Sequence, residues 1–285
     1  MSGPQDATHA QKSSRFSDLG PRVASAVALV AGAVATLLWG GDAFALFWMA
    51  AAFAVNWEWQ GLVGGERRLA RVVVGGGAVA AAAAFGRTEL PAYGLLEIAL
   101  LAPAAGLLAG QGKRLWAASG VVYAGALALS VCLLRESPHY GALAIGWLFA
   151  VVWGSDIFAY FGGRLIGGPK LWVRVSAGKT WSGTVVGAVS GALAGLLVVR
   201  IGVGPAEAGF GAFALGLVAA IVSQIGDLVE SSIKRHFGVK DSSNLIPGHG
   251  GFMDRLDGFI VAAAFAAAVG VLRGAPDVAS GLFLW

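Results

Sequence analysis

Residues 223–258 read SQIGDLVESSIKRHFGVKDSSNLIPGHGGFMDRLDG, and this stretch decides how the rest of the chain is read. The sequence on either side of it is almost entirely apolar. Inside it stand Asp227, Glu230, Lys234, Arg235, His236, Lys240, Asp241, His249, Asp254, Arg255 and Asp257, with a Pro-Gly-His-Gly-Gly turn at 247–251. A loop that only joins two membrane spans needs neither carboxylates at helical spacing nor a glycine-rich turn. Acids beside bases at the edge of a membrane point instead to a site that handles metal ions and phosphates.

The flanking sequence sets the solvent. Hydrophobic residues make up 57% of the chain and charged residues 13%, and the mean hydropathy is +0.73. A soluble domain carries about twice that charge. The apolar runs are continuous and close to the length of a spanning helix, whereas barrel strands alternate. The fold class is therefore all-α, a polytopic integral membrane protein. The single Cys132 lies in an apolar run and offers neither a disulfide nor a thiolate metal site. The basic pI of about 9.5 reflects loops facing an anionic leaflet and calls for no nucleic acid. The 44 glycines permit close helix packing in lipid. The polar start of the chain is not followed by a short apolar core with a cleavage site, so no cleaved signal peptide is expected.

Residues 1–22 read as a polar cytoplasmic tail. Nine apolar spans follow: Val23–Trp39, Ala43–Val63, Leu69–Phe85, Leu90–Ala109, Leu115–Leu134, Tyr140–Phe161, Thr184–Val203, Phe210–Val229 and Phe259–Leu272. With the tail inside, one face of the membrane receives sixteen basic residues and the other receives only Arg87, Arg135, Arg200 and Arg273. The positive-inside rule then puts the N-terminus in the cytoplasm and the C-terminus outside. Residues 23–150 form an N-terminal set of helices. Residues 151–285 form a catalytic region with cytoplasmic loops 162–183 and 230–257. No fixed-period or inverted repeat stands out, which weakens a transporter reading.

Both long loops face the cytoplasm and can meet in one site. In the second, Asp227, Ser231 and Lys234 share a helix face, and Asp254 and Asp257 share another. Asp227 and Asp254, on two facing helix ends, are placed to share a hard divalent cation such as Mg2+ with substrate phosphates. Lys234, Arg235, Lys240 and Arg255 suit phosphate, as do the backbone N–H groups around His249, Gly250 and Gly251. In the first loop Gly178-Lys179-Thr180 lacks the spacing of a P-loop. Ser176, Lys179 and Thr180 either cap a helix or bind phosphate. Asp156, near the end of the sixth span, is a further metal candidate or the partner of Arg164. Asn56 and Glu58 lie inside the second span among tryptophans. An intramembrane acid is a functional candidate, with a helix-packing hydrogen bond as the plain alternative. His9, His139 and His236 show no ligand spacing.

Together, Ser231-Ser232-Ile233-Lys234-Arg235, Lys240-Asp241 and Ile246 through Asp257 resemble the signature of the phosphatidate cytidylyltransferases, also called CDP-diacylglycerol synthases. Ser155-Asp156 through Arg164, and Ser176 through Gly183, resemble that family's preceding loop, although the family usually has Pro where Ala177 stands. The resemblance implies that CTP and phosphatidate give CDP-diacylglycerol and pyrophosphate with Mg2+, and it carries the metal-binding carboxylates onto Asp227 and Asp254. It also implies a second, monovalent cation, assembly as a homodimer, and a multi-pass protein of the inner membrane whose active site faces the cytoplasm. On this reading Lys234, Arg235, Asp241, Arg255 and Asp257 are catalytic. Ser176, Lys179, Thr180, Ser231, Ser232, Lys240, His249, Gly250 and Gly251 bind substrate.

The nucleophile would be the phosphate of phosphatidate, already an anion, so no strong base is needed. Three other readings compete. A CTP-dependent polyprenol or phytol kinase shares the nucleotide and changes the acceptor. A CDP-alcohol phosphatidyltransferase shares Asp254-x-x-Asp257-Gly258, but its further spaced acids are missing here. An ion-coupled transporter would use the intramembrane acids differently.

Overall fold

The computed structural model describes residues 19–284, so most of the polar tail, with His9, lies outside the described residues. Ten helices and one small hairpin follow in chain order. They are α1 (Leu19–Trp39), α2 (Gly41–Val63), α3 (Arg68–Phe85), α4 (Pro91–Leu108), α5 (Arg114–Arg135), α6 (Gly141–Leu165), β1 (Lys170–Trp172), β2 (Ser176–Thr180), α7 (Trp181–Gly202), α8 (Phe210–His236), α9 (Met253–Leu272) and the short α10 (Val278–Phe283). The first nine correspond one to one with the nine expected spans. The last two expected spans were drawn too short: α8 runs on to His236, and α9 begins at Met253, because charged residues continue both helices past the apolar stretch.

Among the described residues, eight helices are long and apolar enough to cross a membrane. The expectation was nine, and α2 is the difference. It has the length, at 23 residues, but carries Asp42, Asn56, Glu58 and Gln60. The last three are buried and internally bonded. Asn56 Nδ2 donates to the Val72 carbonyl at 3.1 Å, Gln60 Nε2 to the Ala117 carbonyl at 2.9 Å, and Arg71 Nε to Gln60 Oε1 at 3.0 Å. Arg71, in the first turn of the third expected span and counted with the cytoplasmic charges, is fully buried and also binds the carbonyls of Gly64 and Glu66. Buried polar groups that are paired in this way lower a helix's hydropathy without turning it to solvent.

The two ends of the bundle are distinct. At one, Arg87 pairs with Asp42 at 2.7 Å and with Glu136 at 3.0 Å, and Arg135 donates to the Leu37 carbonyl. At the other lie Arg71 with the turn after α2, and the loop between α8 and α9. Helix α2 therefore begins at one end and finishes at the other.

Helices α6 and α7 pack closest. Gly183, Gly187, Gly191 and Gly195 repeat every four residues along α7. A Cβ on the first three would come within 2.7 Å of the Ala159, Ser155 and Val151 carbonyls of α6, and one on Gly195 within 2.7 Å of Trp147 Nε1. Such small-residue stripes let backbones touch where hydrophobic burial gives helices no reason to associate. Gln224 of α8 locks the pair, donating to Ser155 Oγ at 2.9 Å and to the Thr184 carbonyl at 3.1 Å. Helix α9 closes the bundle against α5 and α8. Its Phe259 stacks on Trp48 at 4.9 Å between ring centres, and beside them Phe149 stacks on Trp153 at 4.5 Å.

Candidate active site

Two cavities open near the same end of the bundle. The polar one, of about 470 Å³, is lined by Asp156, Tyr160, Arg164, Lys170, Lys179 and Gln224, among others. The first loop builds its rim. Residues expected as plain loop form an antiparallel hairpin that pairs Lys170 with Thr180 and Trp172 with Ser176. Thr180 is the N-cap of α7, its Oγ1 accepting from Gly183 N at 3.1 Å, which is the capping role weighed from the sequence. That cap fixes the residue before it: Lys179 Nζ stands 2.5 Å from Asp227 Oδ2 on α8. Arg164 bonds Tyr160 rather than Asp156.

The second cavity, of about 220 Å³, is mostly apolar. Helix α1 gives one wall with Ala26, Leu29, Val30 and Ala33. Trp48, Phe149, Trp153 and Phe259 form another part, and at the polar end stand Asp156, His249, Arg255 and Asp257. Asp156 lines both cavities. It is near enough to Asp227 and Asp257 for the three carboxylates to repel one another, with Lys179 and Lys234 as the neighbouring cations.

Asp254 lies apart from that group. Its Oδ1 accepts from Lys234 Nζ at 2.6 Å and from Ser242 N at 3.2 Å. Its Oδ2 accepts from Ser242 N and Oγ, both at 2.9 Å, and from Gly251 N at 2.7 Å. Lys234 also pairs with Glu230 at 2.8 Å, and both are buried. The Lys234 ammonium thus bridges two protein carboxylates and lines neither cavity. The glycines of the turn are there for contact as well as conformation. Gly250 has φ of 78°, and a Cβ on Gly251 would overlap Ser242 Oγ and meet both Glu58 oxygens.

The remaining sequence candidates separate by position. Ser231 donates to Asp227 at 3.3 Å. His249 Nδ1 bonds Ser25 Oγ of α1 at 2.8 Å, and Arg255 Nε donates to the His249 carbonyl at 3.1 Å. Asp257 Oδ1 accepts from Gly258 N, while Tyr123 holds its carbonyl. Arg235 turns to the Val239 carbonyl at the end of α8. Ser232, Lys240 and Asp241 are exposed and Ser176 is half-buried, and none of them lines either cavity. Sequence reasoning passed over Ser242, Ser243 and Gln224, and left Glu58 without a role. Serines or glutamines beside an acid in an apolar chain were the available signal.

The model of the cytidylyltransferase family matches residues 20–272. The chain belongs to that family. The family match covers every helix named here but α10, so both cavities lie within it. Among named relatives, the phosphatidate cytidylyltransferase of Brucella abortus biovar 1 (strain 9-941) is 50% identical over 186 residues, 65% of this chain and 68% of the relative. That of Haemophilus influenzae is 38% identical over 146 residues, half of each chain. That of Bacillus subtilis is 34% identical over 151 residues, 51% of this chain and 56% of the relative.

Proposed function

We propose that the protein transfers the cytidylyl group of CTP to phosphatidate, releasing pyrophosphate and giving CDP-diacylglycerol for phospholipid synthesis. The observation that carries this reading is the pair of cavities sharing Asp156, one ringed by Arg164, Lys170 and Lys179 and one walled mainly by apolar side chains, as a charged nucleotide and a two-tailed lipid require. The polar cavity takes CTP, with Lys179, Arg164 and Lys170 toward the triphosphate. The apolar cavity takes hydrocarbon, with Arg255 and His249 at the level of the lipid phosphate.

An oxygen of the phosphatidate monoester attacks the α-phosphorus of CTP, and the bond from that phosphorus to the bridging oxygen of pyrophosphate breaks. The attacking oxygen is already an anion, so the protein supplies position and charge neutralisation rather than a base. Lys179 offsets charge on the departing phosphates, and Arg255 holds the acceptor phosphate in line.

A hard divalent cation fits the donors around Asp227. The ammonium of Lys179 already marks a cation position there, and all the acids are oxygen donors. Among the described residues no three acids or histidines form a ready-made metal cluster. Magnesium normally takes one or two carboxylates together with substrate phosphate oxygens and water, so this sparse set suits it. Asp254 fits less well, because the Lys234 ammonium, the Ser242 amide and hydroxyl and the Gly251 amide already occupy its oxygens, about as many donors as a carboxylate has lone-pair sites. We therefore assign Mg2+ to Asp227, flanked by Asp156 and Asp257. When bound it neutralises phosphate oxygens and orients the leaving group.

The reading is completed by the inner membrane as location, the polar cavity facing the cytoplasm, and assembly as a homodimer. The direct experiment uses purified protein with CTP and a panel of lipid acceptors. Pyrophosphate release that needs both CTP and phosphatidate supports the assignment. Formation of CDP with a polyprenol acceptor in place of phosphatidate, or no turnover at all, would overturn it.

A further inference from the structure

Glu58 belongs to α2, far in sequence from the polar stretch, yet its whole carboxylate is turned to that stretch. Oε1 accepts from Ser243 Oγ at 2.7 Å and from Phe252 N at 2.9 Å. Oε2 accepts from Ser242 Oγ at 3.1 Å and from Met253 N at 2.8 Å. Three of these donors serve Glu58 alone, and the single Ser242 hydroxyl hydrogen is shared with Asp254. The residue is 2% exposed, and its oxygens meet these donors at the positive N-terminus of α9.

The arrangement does more than cap a helix. Phe252 occupies the N-cap position of α9 and has no side chain able to cap it, so Glu58 supplies the acceptor from another helix. Ser242 bridges Glu58 to Asp254, bonding both with its hydroxyl. The chain Glu58, Ser242, Asp254, Lys234 and Glu230 is therefore continuous across α2, the loop, α9 and α8. Asp257 and Arg255 stand on the first turns of α9, immediately beyond the amides that Glu58 grips.

We infer that Glu58 is a positioning residue for cytidylyl transfer: it clamps the 242–253 loop and the start of α9, and so fixes Arg255 and Asp257 against Asp156 at the junction of the cavities. The inference rests on the function proposed above. Glu58→Gln is close to isosteric, but its amide NH2 must face two donors that Glu58 accepts, so one arm of the clamp opens. A displacement of about 1 Å at reacting groups costs on the order of a hundredfold in rate.

The experiment compares wild type, Glu58→Gln, Glu58→Asp and Ser243→Ala, each purified in detergent and checked by size exclusion. Two readouts are taken: kcat and KM for CTP and phosphatidate, and hydrogen–deuterium exchange of backbone amides. Glu58→Gln is expected to lower kcat by about a hundredfold with the KM for CTP little changed, and to speed exchange within 242–258 while α4 and α5 stay protected. Glu58→Asp, which keeps the charge, recovers part of kcat. Ser243→Ala, which removes one donor, gives a smaller loss of kcat with the same local exchange pattern and serves if Glu58→Gln does not fold. Wild-type kcat in a folded Glu58→Gln, or faster exchange spread evenly over the bundle, would overturn the inference. If wild-type protein shows no CTP- and phosphatidate-dependent turnover, the proposed function fails instead, and the exchange data still report whether Glu58 holds the loop.

Discussion

The ammonium of Lys179 lies 2.5 Å from Oδ2 of Asp227, so the hairpin after α6 is fastened to α8 at the rim of the polar cavity. This ion pair is only partly shielded, and one of its partners faces the space assigned to the triphosphate. Lys179→Ala should raise the KM for CTP by roughly tenfold to a hundredfold, the range for a charged hydrogen bond of about 1.5–3 kcal/mol. The KM for phosphatidate should stay near wild type. Initial rates of pyrophosphate release at varied CTP and at varied lipid measure the difference, and equal effects on both substrates would remove Lys179 from the nucleotide site.

Asp227 and Asp254 should separate when each is changed to Asn. Asp227→Asn should stay folded and lose about 3–4 kcal/mol of transition-state stabilisation, a hundredfold or more in rate, with a higher Mg2+ requirement. Asp254→Asn strips the buried Lys234 of one of its two partners. Breaking a buried ion pair costs about 3–5 kcal/mol, so the unfolding temperature in detergent should fall clearly below that of Asp227→Asn. Thermal melts alongside Mg2+ titrations of both variants decide this. A stable Asp254→Asn whose only defect is in Mg2+ dependence would return Asp254 to the metal.

Filling the apolar cavity should act on the lipid alone. Ala26 lines it from α1, whose packing against the rest of the bundle is sparse, so a larger side chain there can be borne by the fold. Ala26→Phe should raise the KM for long-chain phosphatidate more than for a short-chain analogue and leave the KM for CTP unchanged. Rates across a chain-length series provide the test, and a chain-independent effect would move the hydrocarbon elsewhere.

Topology follows from the segregation of basic residues. Reporter fusions after Arg68, Lys113 and Lys240 should read cytoplasmic, and fusions at Arg135 and at the C-terminus should read external. A cytoplasmic C-terminus would mean that α2 does not cross the bilayer, despite running from one end of the bundle to the other.

Much of this architecture was legible because apolar runs near spanning length have one solution in lipid, and every expected span has its helix. Hydropathy alone stops short of the helix ends, since it marks the membrane rather than the helix; the helical spacing of Asp227, Ser231 and Lys234, and of Asp254 and Asp257, carried the reading on toward His236 and Met253. The hairpin at 170–180 was missed because its strands are only three and five residues long and carry no alternating apolar pattern. Within the site, residue type pointed to Asp227 as a metal ligand and to Lys179 as a cap or a phosphate contact, and gave no sign of the ion pair they form. It could not distinguish Asp227, which is partly exposed and bonded by Lys179 and Ser231, from Asp254, whose oxygens are taken by backbone N–H groups, Ser242 and Lys234. Both are aspartates on helices next to bases, and only the path of the 242–251 loop separates them. Glu58 could be singled out as an intramembrane acid, but its partners lie far along the chain, where no local spacing shows them.

Helix α1 walls the apolar cavity, and Ser25 and His249 tie its polar end to the Pro247–Gly251 turn. Phosphatidate and its product carry the same two tails, and each methylene drawn into water costs about 0.8 kcal/mol. A slot walled by a sparsely packed helix lets the tails slide in from the leaflet and back out sideways. Only the head group ever needs to meet water. Turnover then follows the surface density of phosphatidate in the bilayer rather than its bulk concentration, and diluting the lipid with an inert carrier at constant total amount should slow the enzyme.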